Sequence, residues 1–326
     1  MPPSAPEFWA RRGALSLLLA PLGCVYDAVG ALRHAVARPY RAKVPVICVG
    51  NLVAGGAGKT PIVADLAQRL TTRGVAVHVL SRGYGGTLAG PVRVDPDRHD
   101  ASAVGDEPLM LARRTTVWVA RDRAAGAQAA VAAGTQAILM DDGLQNPTLA
   151  KDLALVALDG GYGFGNGRVM PAGPLRESIA RGLARADAVV MLGADQTGAA
   201  ARLGAIPVLQ AEPRPSTADL AGRALVAFAG IGRPQKFFDH FSVAGARLVA
   251  AHGFSDHHPY SDHELDMLAA TAKRAGAELI TTEKDWVRLA PAWRARIEYL
   301  PLTIEWRDER ALETLLDRTL KRTSSS

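Results

Sequence analysis

The run Gly55-Gly56-Ala57-Gly58-Lys59-Thr60, entered from the apolar residues 46–49, constrains this chain more than any other segment. Glycines let a backbone curl until successive N–H groups point inward at one anion. A helix that begins at about Thr60 adds the partial positive charge of its N-terminus. A lysine directly after the last glycine reaches β- and γ-phosphates, and the hydroxyl that follows ligates Mg²⁺. A glycine-rich turn without a nucleotide needs neither residue, so the segment predicts a phosphate loop. One position departs from the general G-x-x-x-x-G-K-T spacing, which wants glycine where this chain has Val53.

The surrounding pattern fits such a loop. Short apolar strands read at 46–49, 75–80, 117–119, 137–140 and 153–158. Helical segments lie between them at about 60–73 and 123–133, and another starts near Asp106-Glu107-Pro108, where an acidic cap and an early proline mark a beginning. This alternation predicts an α/β fold of the P-loop type, a parallel sheet with helices on both faces. Further strands read at 188–192, 225–229, 247–251 and 279–281, and a helix at 262–276. The polar, proline-containing stretch 212–221 reads as a linker. Four regions follow: an N-terminal helix region over 1–43, a core domain over 44–215, a smaller C-terminal α/β lobe over 216–320 and a disordered tail over 321–326.

With 326 residues, 48% apolar and 21% charged, the chain is large enough for two domains and is no disordered polymer. Its net charge of +6 favours anionic partners. Nucleic acid is excluded as the first choice, because the arginines are scattered and no aromatic–basic platform accompanies them. No segment singles out an obligate protein partner. Cys24 and Cys48 lack metal-like spacing and suit a reducing compartment.

Residues 14–32 form an apolar stretch between Arg11-Arg12 and the basic group Arg33, His34, Arg38 and Arg41. A spanning helix needs roughly 20 consecutive apolar residues, and Pro21, Gly23 and Asp27 interrupt this run. We read it as a membrane-associating helix lying in the interface, its cationic flanks meeting anionic headgroups. A helix packed on the protein's own core would show the same pattern.

Two further constellations carry chemistry. Asp141-Asp142-Gly143 follows the strand at 137–140, where a P-loop fold keeps its second Mg²⁺-binding acid. Buried carboxylates are costly unless a cation or donors meet them. Gly105-Asp106-Glu107-Pro108 and Asp256-His257-His258 offer a carboxylate or a carboxylate–histidine pair able to accept a hydroxyl proton. Alone, Asp106 reads as a helix cap and the histidines as a surface loop or half of a metal site. Spacing does not bring them together.

A resemblance does. The ordered set Gly50-Asn51-Leu52 with the phosphate loop and Pro61, Ser81-Arg82-Gly83-Tyr84-Gly85, Gly105-Asp106-Glu107-Pro108 and Asp141-Asp142-Gly143-Leu144-Gln145 resembles the tetraacyldisaccharide 4'-kinase (lipid A 4'-kinase) family. Met170-Pro171-Ala172-Gly173-Pro174-Leu175-Arg176-Glu177, Ala229-Gly230-Ile231-Gly232-Arg233-Pro234, Asp256-His257-His258 and Thr281-Thr282-Glu283-Lys284-Asp285 continue it, from about residue 8 to 305. The resemblance implies an ATP- and Mg²⁺-dependent lipid kinase at the cytoplasmic face of the inner membrane. Its substrate would be a tetraacylated glucosamine disaccharide 1-phosphate, phosphorylated on the 4'-hydroxyl.

It also implies roles. Asp106 and His257 form the catalytic dyad, with His258 as the less favoured partner. Gly55, Gly56, Ala57, Gly58, Lys59, Thr60 and Gln145 serve the nucleotide. Thr60, Asp141, Asp142 and Glu107 serve the metal, and Ser81, Tyr84 and Arg176 the substrate head group. Asn146 stands where the family usually has histidine, which puts any proton-carrying role there in doubt. The rival classes are a nucleotide switch of the partition-ATPase kind, a kinase for a soluble sugar or nucleoside, and a membrane-associated module that holds nucleotide structurally.

Overall fold

The computed structural model describes residues 6–217 and 219–324, and two sheets divide the strands among them. The first eight strands are β1 (Val46–Gly50), β2 (Val77–Ser81), β3 (Val92–Arg93), β4 (Thr116–Val119), β5 (Ala137–Asp141), β6 (Leu153–Asp159), β7 (Ala188–Leu192) and β8 (Val208–Pro215). Then come β9 (Ala224–Ala229), β10 (Arg247–Gly253), β11 (Glu278–Thr282), β12 (Glu298–Leu300) and β13 (Leu302–Trp306). The larger sheet has the order β13-β8-β7-β6-β1-β5-β2-β4-β3, and the smaller one β10-β9-β11-β12. Among the described strands, only the edge pairs β13–β8 and β3–β4 are antiparallel.

The central strands are apolar without alternation because both faces are covered. Every residue of β1, β5 and β7 is buried. One face packs against the helices Lys59–Thr72 and Asp106–Ala112 through Ile62, Leu66 and Leu109. The other packs against the helix Arg123–Ala132 through Ala127 and Ala130. The parallel sheet with helices on both faces is therefore present as predicted. β2 starts at Val77 rather than 75, because Gly74 and Val75 still donate to the last carbonyls of the preceding helix, at 2.9 and 3.0 Å.

Three expectations at the C-terminal side need correction. The supposed linker at 212–221 begins as the second half of β8. The lobe does not run to 320: after β12 the chain returns to the larger sheet as β13, paired with β8 from Leu302 opposite Pro215 to Trp306 opposite Ala211. The final helix, Glu309–Ser324, then docks on the helix Lys59–Thr72, with Leu312 and Leu316 wholly buried in the core. Arg69 and Arg73 reach its Glu313, but such surface pairs add little beside the apolar contact. The stretch 321–324, placed in a disordered tail, is the end of this helix, and 325–326 lie outside the described residues.

At the N-terminus two helices, Ala14–Leu18 and Ala20–Val36, meet at Leu19, with Pro21 in the first turn of the second. Small and polar residues face the protein. Gly23 lies so close to Val169 that a Cβ there would come within 2.7 Å of its carbonyl oxygen. Asp27 accepts the Ser178 N–H at 2.8 Å and pairs with Arg181. The opposite side carries Leu18, Leu22, Val25, Val29, Leu32 and Val36, each more than half exposed. Their alternating spacing of four and three places them on one stripe. Among the described residues no helix is long and apolar enough to cross a membrane.

Candidate active site

The carboxyl ends of parallel strands are where α/β sheets gather ligand-binding groups. β1, β5 and β2 are neighbours, and they end in the phosphate loop, in Asp141-Asp142 and in Ser81. Leaving β1, the buried Asn51 donates from Nδ2 to the Val53 carbonyl at 2.8 Å and pins the start of the loop. Val53 is buried and bridges to Leu175, while the Ala54 N–H donates to the Pro174 carbonyl at 2.7 Å. The position that the general spacing reserves for glycine is thus a core position in this chain. Gly58 has φ +72°, and a Cβ there would lie 2.4 Å from Leu192 Cδ1, so the last glycine is dictated by both conformation and space.

Lys59 opens the following helix, and both it and Thr60 are buried. Lys59 Nζ lies 3.7 Å from Asp142 Oδ2, and Arg176 Nη1 donates to Asp142 Oδ1 at 2.7 Å. Burial pushes the Asp142 carboxyl up, but Lys59 and Arg176 outweigh it and hold the group below its ordinary range. Its φ of +55° is one of two positive values among the described non-glycine residues; the other is His257, at +59°. Strained backbone of this kind gathers at functional sites.

Asp141 is only 1% exposed, and its Oδ1 has no hydrogen-bond partner. Burial pushes its carboxyl well up, the nearby Glu107 pushes it further, and Lys59 opposes both. A buried carboxylate oxygen without a donor suits a cation. Among the described residues no three carboxylate, imidazole or thiolate groups converge into a closed metal cage. Mg²⁺ rarely needs one, since one or two carboxylates usually share it with substrate phosphates and water.

The second cluster is built on Asp106, at the start of its helix. Gly105 precedes it with φ +89°, and a Cβ there would come 2.5 Å from the Tyr84 carbonyl, so this turn abuts the loop after β2. Asp106 is 4% exposed; its Oδ1 accepts the Glu107 N–H at 2.9 Å, and its Oδ2 lies 2.8 Å from His257 Nδ1. Burial raises the Asp106 carboxyl, yet the His257 hydrogen bond and then the Lys284 charge prevail and hold it below the usual range. His257 comes from the loop after β10 and Lys284 from the turn after β11, so the smaller sheet also presents its carboxyl edge here. Lys284 Nζ sits 3.7 Å from Glu107 Oε1. Glu107 thus pairs with Lys284 in this cluster, while its charge raises Asp141 in the other.

Most of the anticipated residues meet, and some do other work. Ser81 is buried at the end of β2, while Tyr84 is exposed, its ring centroid 6.1 Å from that of His257. His258 is turned away, its Nε2 2.9 Å from Glu264 Oε1 and its ring stacked on Phe254. His257 is therefore the partner of Asp106. Arg176, expected at the substrate head group, is engaged with Asp142 beside Lys59. Gln145 donates from Nε2 to the Asn51 carbonyl at 2.9 Å and to Glu177 Oε1 at 3.0 Å, bracing the base of the loop. Asn146 accepts from the Thr148 N–H and hydroxyl, both at 3.1 Å, and serves its own turn. Lys284 and Arg288 were not anticipated by role, although their i,i+4 spacing puts both cations on one side of a helical turn.

The chain is similar to known proteins along nearly its whole length. The family model described as Tetraacyldisaccharide-1-P 4'-kinase matches residues 15–321. The tetraacyldisaccharide 4'-kinase of Rhodospirillum rubrum is 52% identical over 325 residues, covering 97% of this chain and 98% of that one. The protein of the same name from Paramagnetospirillum magneticum is 54% identical over 318 residues, covering 96% and 98%. A crystal structure of LpxK from Aquifex aeolicus in complex with ATP is 26% identical, with a TM-score of 0.79 over 94% of this chain and all of that one.

Proposed function

Because the chain belongs to the tetraacyldisaccharide-1-P 4'-kinase family, we propose that its two carboxyl-edge clusters are the donor and acceptor halves of one phosphoryl-transfer site. The protein is a lipid kinase that transfers the γ-phosphoryl group of ATP to the 4'-hydroxyl of a tetraacylated glucosamine disaccharide 1-phosphate, a step of lipid A synthesis.

In the donor half, Lys59 and the amides of residues 55–60 cradle the triphosphate, and their fixed positive ends face the charge that develops during transfer. Thr60, Asp141 and Glu107 are the groups that would hold Mg²⁺, which supplies further neutralisation of the phosphates when bound. Asp142, already bridged by Lys59 and Arg176, fits that role less well. Arg176 belongs with the donor half in this reading, and Gln145 shapes the loop from beneath.

In the acceptor half, Asp106 takes the 4'-hydroxyl proton as the new bond to phosphorus forms. Its depressed carboxyl is ionised and ready at neutral pH. His257 orients it, and Ser81 and Tyr84 flank the sugar. The observation that carries the reading is the 2.8 Å contact of Asp106 with His257, in a cluster joined to Asp141 through Glu107. The test is incubation with γ-labelled ATP and tetraacyldisaccharide 1-phosphate. Label should enter the organic phase. Label released only as inorganic phosphate, whatever the lipid, would return the protein to the nucleotide-switch class.

The exposed apolar stripe of the N-terminal helices supports a membrane-surface reading, in which the site works on an acyl-anchored substrate. In our reading Leu18, Leu22, Val29 and Leu32 dip into the cytoplasmic leaflet of the inner membrane, and Arg33, Arg38 and Arg41 meet anionic headgroups. Burying a leucine side chain contributes about 1.5–3 kcal/mol. Replacing Leu18, Leu22 and Val29 together by serine should therefore weaken binding to anionic vesicles by more than about tenfold. Unchanged co-sedimentation of the triple variant would refute this anchoring.

A further inference from the structure

Lys284 lies where three segments converge, and neither half of the mechanism above uses it. Its Nζ is 3.2 Å from His257 Nε2, 3.4 Å from Asp256 Oδ1, 3.7 Å from Glu107 Oε1 and 4.0 Å from Asp106 Oδ2. The side chain is 21% exposed, and three carboxylates face it within 4.0 Å. It is therefore a cation. Arg288, one turn along, is 92% buried by its 8% side-chain exposure, pairs with Asp285 and stands 3.7 Å from Asp106 Oδ2.

An ammonium group has three donors and no lone pair. At its 3.2 Å contact with His257 the imidazole Nε2 must therefore be the acceptor. The ring proton then resides on Nδ1, where it is donated to Asp106 Oδ2. The second nitrogen of a histidine decides how the first behaves, and in this ring the second nitrogen is held by Lys284, from another segment of the same lobe.

We propose that Lys284 is the third member of the Asp106–His257 pair: a positioning residue whose ammonium caps His257 Nε2, fixes the ring proton against Asp106 and ties Asp256 and Glu107 to the same point. One consequence is a sharper assignment of the base. With Nε2 engaged by a cation and Nδ1 already protonated, His257 has no free lone pair, so the hydroxyl proton goes to the Asp106 carboxylate. A second consequence concerns the lobes, because the same ammonium binds core residues and lobe residues at once.

The inference rests on the proposed base role of Asp106, and its test has one arm independent of that role. Histidine-selective ¹⁵N labelling of the full chain reports the ring directly by NMR. In the wild type, His257 should show a proton on Nδ1 and a hydrogen-bonded, unprotonated Nε2. In Lys284→Met the Nε2 signal should move. Turnover of tetraacyldisaccharide 1-phosphate should fall on the order of 10²-fold, the scale set by misplacing a reacting group by about 1 Å, with the KM for ATP unchanged. Lys284→Arg, which keeps a donor and the charge, should recover part of the turnover.

A wild-type ring carrying its proton on Nε2 overturns the proposal, as does Lys284→Met with turnover within about threefold of wild type. So does a loss of turnover in which the Nε2 signal stays where it was. If Lys284→Met fails to fold, the wild-type tautomer and the Nε2 signal of Lys284→Arg decide the matter. A correct tautomer combined with full activity of Asp106→Ala would leave the ring assignment standing and remove the base assignment instead.

Discussion

Asp106→Ala should lower the rate of lipid phosphorylation by about 10²–10⁴-fold, the usual contribution of a general base, while ATP binding stays within a few-fold of wild type. The separation follows from where the carboxylate sits. Its hydrogen bonds run to the Glu107 N–H and to His257, and its charge faces Lys284 and Arg288. None of these belongs to the phosphate loop. Asp106→Asn is the finer test, since it keeps the shape and an oxygen acceptor but cannot take up a proton at neutral pH. Single-turnover rates with saturating ATP, set beside a nucleotide-binding isotherm, check both substitutions. Equal losses of binding and turnover would assign Asp106 to the donor half.

Lys59→Met should cost about 10²–10³-fold in turnover, the scale observed when one preorganised donor to a developing charge is removed. Unlike Asp106→Ala, it should weaken ATP binding as well. Lys59 is 8% exposed at the first turn of its helix and neutralises Asp142 from 3.7 Å. Without it, Asp142 retains only Arg176 as a close cationic partner, and Asp141 loses the charge that opposes its upward shift. The carboxyl end of β5 is then more negative and should bind a cation at least as readily, so the deficit should appear in ATP affinity rather than in the Mg²⁺ requirement. A variant with normal ATP affinity would show that the loop amides alone carry the phosphates.

What could be read from the sequence was whatever local pattern encodes. β1, β5, β6 and β7 are apolar runs without polar interruption, and that is how strands buried on both faces look. The phosphate loop and the acidic turn after β5 were legible for the same reason, since each is contiguous. β13 was not. Its residues Leu-Thr-Ile-Glu-Trp alternate, as suits an antiparallel edge strand, but five residues after a proline carry too little signal to say which sheet they join.

The meeting of Asp106 with His257, 151 residues apart, lay beyond spacing altogether, and the family resemblance alone joined them. Spacing likewise gives no sign that Arg176, expected at the substrate head group, donates to Asp142 at 2.7 Å. Lys284 carries no local sign of its role, because its meaning depends on four partners drawn from two distant stretches of chain.

The return of β13 beside β8 has one more consequence. Residue 216 leaves the larger sheet where residue 301 comes back, with the Ser216 N–H donated to the Pro301 carbonyl at 2.9 Å. The intervening lobe is thus a cassette set into what would otherwise be a plain hairpin. The stretch that supplies His257 and Lys284 enters and leaves through one point of the larger sheet, although its Val287 is buried in the core. In a chain joined this way, changes within the lobe alter His257 and Lys284 without touching the strands that end in the phosphate loop and in Asp141-Asp142.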